Sequence, residues 1–154
     1  MALRAAPLLL LLLAALLVLL GASANQDQYE RFLLQHYDPS PSGRDRRYCE
    51  SRMRIMMNKD KKNFGIHDKI HCKERNTFIH ENLNKIKAIC TGAGGTSTPG
   101  GMRESRERFQ ITQCRNTGGR PLNNCEYRAF ADYRTIVIRC DRAGLPVHFD
   151  ESRI

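Results

Sequence analysis

The stretch that decides the fold is Cys72-Lys73-Glu74-Arg75-Asn76-Thr77-Phe78, near the middle of a 154-residue chain. It continues as Ile79-His80, and residues 76–80 are rich in residue types that favour β-strands. A strand is therefore predicted over 76–80, a few residues after a cysteine and a lysine.

The chain has six cysteines, and their number indicates an oxidising compartment. The number is even, and a secretory segment precedes all of them, which predicts three disulfides. Six cysteines allow 15 pairings, and their spacing alone does not choose one. No Cys-x-x-Cys pair occurs, which argues against a zinc ribbon or a thioredoxin-type site. The six are Cys49, Cys72, Cys90, Cys114, Cys125 and Cys140.

Residues 1–24 have the organisation of a secretory signal peptide. Arg4 supplies a positive start, residues 8–20 are almost unbroken Leu, Ala and Val, and Ala22-Ser23-Ala24 is a small-residue cleavage pattern. The alternative is a transmembrane anchor, but the apolar run is short and the cleavage pattern follows it at once. We predict that residues 25–154 form one secreted, soluble domain.

The net charge favours acidic partners. It is +9 for the whole chain, and Arg4 is the only charged residue of the first 24, so the remainder carries 9 − 1 = +8. A basic secreted protein suits nucleic acid, heparin-like glycans or anionic membrane surfaces. Charge alone does not choose among these partners, and it also serves solubility.

Apolar periodicity predicts three short helices in the first half of the chain. Residues 27–36 place Tyr29, Phe32 and Leu33 on one helical face, and residues 46–57 form a second helix. Asn82 can cap a third helix that extends toward Cys90. Residues 58–70 are predicted to be a Lys-rich polar loop, and the Gly-, Ser- and Thr-rich residues 91–101 an exposed mobile loop.

The second half of the chain is predicted to be strands. They cover residues 109–114, 125–131, 135–140 and 145–149, with a turn at 116–119. Helices first and strands later indicate an α+β fold, with three helices packed on a curved antiparallel sheet.

Three strings single out residues for chemistry. Besides the stretch from Cys72 to Phe78, they are Gln35-His36-Tyr37-Asp38 and Pro146-Val147-His148-Phe149-Asp150. In this order, and with six cysteines between and around them, they resemble the pancreatic ribonuclease family. The lack of an extra cysteine pair between Cys90 and Cys114 resembles the angiogenin branch of that family. The resemblance implies bridges Cys49–Cys114, Cys72–Cys125 and Cys90–Cys140.

The resemblance also implies a catalytic set. His36 is expected to act as general base, His148 as general acid and Lys73 as the cation that stabilises the transition state. The chemistry suits them, because the RNA 2′-hydroxyl can attack its own phosphate when one group removes a proton and another donates one. Histidine titrates near neutral pH, and a fixed cation stabilises charge that develops on the phosphoryl oxygens.

Four further residues are expected to bind substrate. Gln35 and the backbone of Phe149 would contact phosphoryl oxygens, Thr77 would read a pyrimidine, and Asp150 would orient the His148 ring. In the angiogenin branch the C-terminal segment partly blocks the pyrimidine pocket. Here Glu151 stands at the blocking position, and a tail that ends at Ile154 is expected to hold it less firmly.

No metal or cofactor is predicted. His67 and His71 stand four residues apart, a spacing that metal sites use, but no further ligand stands out. His80 is interpreted as structural.

The predicted function is a secreted, metal-independent endoribonuclease. It would cut single-stranded RNA 3′ of pyrimidines through a 2′,3′-cyclic phosphate, as a monomer and with attenuated activity. Ribonuclease inhibitor, heparin-like glycans and anionic membranes are candidate partners. Two alternatives need little catalysis: a cationic antimicrobial protein and an angiogenic receptor ligand. Nuclear or nucleolar uptake is not favoured, because the arginine cluster at Arg52-Met53-Arg54 is interrupted.

Overall fold

The computed structural model describes residues 5–65, 71–120 and 124–154, and it confirms the α+β class. Helices dominate the first half and antiparallel strands the second. In chain order the elements are α1 (Ala5–His36), α2 (Arg46–Phe64), β1 (Arg75–Ile79), α3 (Leu83–Ala88), β2 (Gly95–Thr98), β3 (Met102–Ser105), β4 (Phe109–Gly118), β5 (Glu126–Arg134), β6 (Val137–Cys140), β7 (Pro146–Phe149) and a final 3₁₀ turn, Glu151–Arg153.

Helix α1 has two parts with opposite environments. Its first part carries the leucine-rich run, whose side chains are exposed, for example Leu8 at 63% and Val18 at 71%. Its last part packs on the domain and buries Tyr29, Phe32 and His36. The helix is long and apolar enough to cross a membrane, and its position near the N-terminus is also that of a signal sequence. Cleavage after Ala24 therefore stays a prediction.

Helix α2 continues to Phe64, so the predicted end at residue 57 and the predicted loop over 58–64 are wrong. The prediction failed because one of these polar residues faces the domain. Asp60 is 6% exposed and pairs with Arg31 of α1, with 3.0 Å between Nε of Arg31 and Oδ1 of Asp60. Gly65 ends the helix in the left-handed region at φ 59°, and its N–H donates to the Lys61 carbonyl. The rest of the predicted loop, 66–70, lies outside the described residues.

The strands form two antiparallel sheets, ordered β1-β4-β5 and β2-β3-β6-β7. The prediction of a mobile loop over 91–101 is wrong, because Gly95–Thr98 pairs with Met102–Ser105. Glycine is required at Gly95, where a Cβ would lie 2.0 Å from the Ile89 carbonyl oxygen. The predicted turn at 116–119 also begins too early, since β4 continues to Gly118 past an irregularity in its pairing with β5.

Strand β1 lies between two hydrophobic cores. On one side Ile79 joins Phe32, Ile138 and Phe149, and on the other Phe78 joins the methionines of α2 and Tyr127. The three expected disulfides are present, and each joins the helical half to the strand half: Cys49–Cys114, Cys72–Cys125 and Cys90–Cys140. Successive side chains of β1 point to opposite faces, so Thr77 shares the face of Ile79.

Candidate active site

His36 is the last residue of α1 and is held against β1. Its Nδ1 lies 2.7 Å from the Thr77 carbonyl oxygen. A carbonyl only accepts, so Nδ1 carries the hydrogen and Nε2 keeps its lone pair. The ring also packs against Phe32, at 5.2 Å between centroids, and stacks on Phe149, at 5.1 Å and 25°. The tautomer and the orientation of the imidazole are thereby fixed.

The environment of His36 favours its neutral form. Burial, together with the charges of Lys73 and His148, lowers the pKa of His36 from 6.5 to about 3, although the bond to the Thr77 carbonyl opposes these effects. Desolvation penalises the imidazolium ion. At neutral pH the side chain therefore presents an unprotonated Nε2, which is what a general base requires.

Lys73 is held close to the same strand. Its Nζ donates to Oδ1 of Asn76 at 2.7 Å, and the Asn76 amide nitrogen donates to the Gln35 carbonyl oxygen, also at 2.7 Å. Burial lowers the pKa of Lys73, an effect that Glu151 and Asp60 partly oppose. Asn76 was not among the predicted site residues, although it stands inside the opening stretch. It links the lysine to the turn of α1 that carries His36.

His148 lies on β7 opposite Arg139 and is exposed. It borders a cleft of about 410 Å³ that is also lined by Arg31, Gln35 and Arg139. The Gln35 side chain is oriented by Asp60, with 3.4 Å between Nε2 and Oδ1. The structure thus brings a buried histidine, an ammonium group and an exposed histidine to one end of α1 and β7.

The last predicted residues lie at the end of β7. Phe149 is 2% exposed. Asp150 accepts from the Ser152 N–H at 3.0 Å and from the Ser152 hydroxyl at 2.5 Å. In the described part of the chain it makes no hydrogen bond with His148. Its observed contacts hold the 3₁₀ turn that follows.

Thr77 is occupied by the tail of the protein itself. Its N–H donates to Oε1 of Glu151 at 2.7 Å and its hydroxyl to Oε2 at 2.6 Å. Ile154 packs against a hydrophobic core, and Arg134 donates to the Arg153 carbonyl at 3.1 Å. The tail is therefore held more firmly than its length suggests.

Comparison with known proteins identifies the architecture. The sequence model of the family described as pancreatic ribonuclease matches residues 27–150. The chain belongs to the pancreatic ribonuclease family. Mouse (Mus musculus) angiogenin is 45% identical over 153 residues, which cover 99% of this chain and 97% of that protein. Mouse angiogenin-3 is 48% identical over 148 residues, with 95% and 94% covered. The crystal structure of zebrafish RNase5 superposes with a TM-score of 0.69 at 32% identity and covers 84% of this chain and 97% of that one.

Family membership makes the chain a secreted endoribonuclease whose substrate is RNA. The three disulfides agree with an oxidising compartment.

The other histidines lie apart from this set. His80 bonds through Nδ1 to the Asp38 carbonyl at 2.7 Å and through Nε2 to the Thr112 hydroxyl at 2.8 Å. Burial lowers its pKa, so it bridges these groups in the neutral form. His71 is exposed, and His67 lies outside the described residues. The described part of the chain holds no cluster of three His, Cys, Asp or Glu that fits a metal.

Proposed function

We propose that this ribonuclease cleaves single-stranded RNA on the 3′ side of pyrimidines, with His36 as base, His148 as acid and Lys73 as the stabilising cation. The observation that carries the proposal is the buried, neutral His36, whose Nδ1 is committed to the Thr77 carbonyl and whose Nε2 is available. Lys73 and His148 both lie close enough to act on its charge.

The first step is transphosphorylation. Nε2 of His36 takes the proton of the 2′-hydroxyl, and the 2′-oxygen forms a bond to phosphorus. The bond from phosphorus to the 5′-oxygen breaks, and His148 gives its proton to the departing oxygen. The products are a 2′,3′-cyclic phosphate and a free 5′-hydroxyl.

Negative charge gathers on the non-bridging oxygens as this happens. In the proposal this charge is stabilised by Lys73, the Gln35 amide and the Phe149 backbone N–H. Because the charge develops during the reaction, these groups stabilise the transition state more than the ground state. In the second step the histidines exchange roles: His148 takes a proton from water and the water oxygen forms a bond to phosphorus, while the bond from phosphorus to the 2′-oxygen breaks and His36 protonates that oxygen.

Base selection is assigned to Thr77. Its N–H and hydroxyl can donate to and accept from the edge of a pyrimidine, but Glu151 holds both in this structure. The substrate must displace that carboxylate, which supports attenuated activity. For Asp150 we retain the role of orienting His148 through Oδ2, since Oδ1 already accepts twice from Ser152.

The mature enzyme is proposed to be a secreted monomer of residues 25–154. Its net charge of +8 suits ribonuclease inhibitor, heparin-like glycans and anionic membranes as acidic partners. Nuclear or nucleolar uptake is not proposed. Arg52, the first residue of the interrupted arginine cluster, is engaged by the domain itself: its Nε lies 3.5 Å from Oδ2 of Asp38, and its guanidinium carbon lies 5.2 Å from the centre of the Phe78 ring.

The test is cleavage of a short RNA with one pyrimidine, from pH 3 to pH 8, by the wild type, His148→Ala and the control His71→Ala. We expect His148→Ala to lose about 10²–10⁴-fold in kcat/KM and His71→Ala to match the wild type. A base must be neutral, so the lowered pKa of His36 places the acid limb of the wild-type profile below pH 6.5.

Two outcomes would contradict the proposal. One is the absence of cleavage by folded wild type, and the other is full activity in His148→Ala. Membrane damage that survives in His148→Ala would support the antimicrobial alternative.

A further inference from the structure

The sheet of β1, β4 and β5 carries one row of side chains that starts in the proposed pyrimidine site. Thr77 of β1 pairs with Gln113 of β4, which in turn pairs with Phe130 of β5. Directly paired residues point to the same face of a sheet. The row therefore leads from the base-reading threonine to Phe130.

Phe130 is not needed to fill a core. Its side chain is 40% exposed, and it belongs to neither hydrophobic cluster. The Arg115 guanidinium carbon lies 4.2 Å from the centre of its ring, and Nε of Arg115 donates to Oε1 of Gln113 at 2.5 Å. Ring and guanidinium together form a fixed platform, and both are surfaces on which bases stack.

A second row beside the first is entirely basic. Arg75, Arg115 and Arg128 are paired across β1, β4 and β5, and all three are exposed. Like charges directly opposite each other destabilise a sheet. Among the described residues, no carboxylate lies within 4.0 Å of these three guanidinium groups. Such a row suits a polyanion that passes over the sheet.

The position of Phe130 gives the polarity of the strand it would bind. Strand β5 lies two spacings from β1, about 10 Å. Helix α1 and strand β7, which carry His36 and His148, pack together at the β1 side of the site. If the pyrimidine rests on Thr77 and its 3′ phosphate faces the histidines, Phe130 lies toward the 5′ side.

We propose that Phe130 and Arg115 form a stacking site for the base on the 5′ side of the pyrimidine, with the arginine row contacting the RNA backbone. This inference rests on the proposed function, because that function supplies the direction of the strand. The ligand class is single-stranded RNA of three or more nucleotides.

The experiment compares UpA, which has no 5′ base, with ApUpA, which has one. Phe130→Ala should lower kcat/KM for ApUpA at least fivefold and leave UpA unchanged, because base–aromatic stacking is lost only with the longer substrate. Tyr133→Ala is the matched control: Tyr133 is 50% exposed on the same strand, three residues away and hence on the opposite face. It should leave both substrates unchanged.

A second measurement removes chemistry from the comparison. With 2′-deoxyuridine in place of uridine the trinucleotide cannot be cut, and its Kd should rise at least fivefold in Phe130→Ala and recover in Phe130→Tyr. Equal losses on UpA and ApUpA, an unchanged Kd, or the same loss in Tyr133→Ala would overturn the stacking site. Failure of folded wild type to cut UpA would instead refute the proposed catalytic function.

Discussion

The two sides of Thr77 differ in how far their polar and charged side chains are buried and paired. Toward α1 and β7, His36 is buried and bonds to the Thr77 carbonyl, and the half-buried Lys73 bonds to Asn76. Toward β5, Phe130 and the arginine row are exposed. Among the described residues, the guanidinium groups of that row have no carboxylate partner. Chemistry requires fixed geometry and shifted pKa values, which burial supplies. Holding a long polyanion requires accessible charge, whose effect salt weakens.

Outside the catalytic histidines, the largest effect is expected from weakening the contacts on the side of α1 and β7. Asn76→Ala removes the acceptor of the Lys73 ammonium and the donor to the Gln35 carbonyl. We expect kcat to fall about 10–100-fold with little change in KM, because hydrogen bonds to charged groups contribute about 1.5–3 kcal/mol. Steady-state kinetics on UpA measure this.

The control for Asn76→Ala is Asn116→Ala, which removes an asparagine whose side chain bonds only to backbone near the end of the same sheet. Unchanged kcat in a folded Asn76→Ala protein would mean that Lys73 does not depend on its hydrogen bond to Asn76 for its position in the site. A double variant with Lys73→Ala should lose little more than Lys73→Ala alone, since the two residues act as a pair.

A smaller effect, of opposite sign, is expected at the boundary between the sides. Glu151→Ala frees the Thr77 N–H and hydroxyl, so kcat/KM for UpA should rise about tenfold, the equivalent of one or two net hydrogen bonds. Arg153→Ala, in the same 3₁₀ turn, is the control and keeps the blocking carboxylate. A Glu151→Ala protein no faster than wild type would show that displacing the Glu151 carboxylate from Thr77 does not limit catalysis.

The smallest effect is expected on the exposed side. Arg128→Gln should reduce the slope of log(kcat/KM) against log[salt] for a long single-stranded RNA by about 0.7, the value for one phosphate contact. Arg54→Gln, on the exposed surface of α2, should leave the slope unchanged. A slope that responds to both substitutions equally would mean that only net charge matters and would remove the distinction between the two faces.

Much of this arrangement is legible in the sequence. The strings around His36, Lys73 and His148 identified the catalytic candidates, and the patterns of alternation located most strands. Residues 91–101 were misjudged because a hairpin edge of glycine, serine and threonine has the composition of a loop. The end of α2 was misjudged because Asp60 acts through Arg31, 29 residues away in the chain.

Asn76 and the Phe130 platform illustrate the limit more generally. Asn76 belongs to the stretch from Cys72 to Phe78, but its role depends on two contacts that the sequence does not show. Lys73, three residues earlier, donates to its side chain, and its own amide nitrogen donates to the carbonyl of Gln35, 41 residues earlier. Phe130 is meaningful only through a register that spans three strands. Partners that a sheet brings together from distant positions leave no local pattern.

The order of the disulfides has a consequence for how the chain matures. The bridges span 65, 53 and 50 residues, whereas Cys114 and Cys125 are only 11 residues apart and Cys125 and Cys140 only 15. In an unfolded chain the short pairings cost roughly 1–2 kcal/mol less in loop-closure entropy than the native ones. Random oxidation therefore traps neighbours on the strand half, and thiol–disulfide exchange must undo them. Loop closure alone therefore does not select the native pairing, and the register of the folded sheet must bring the partner cysteines together.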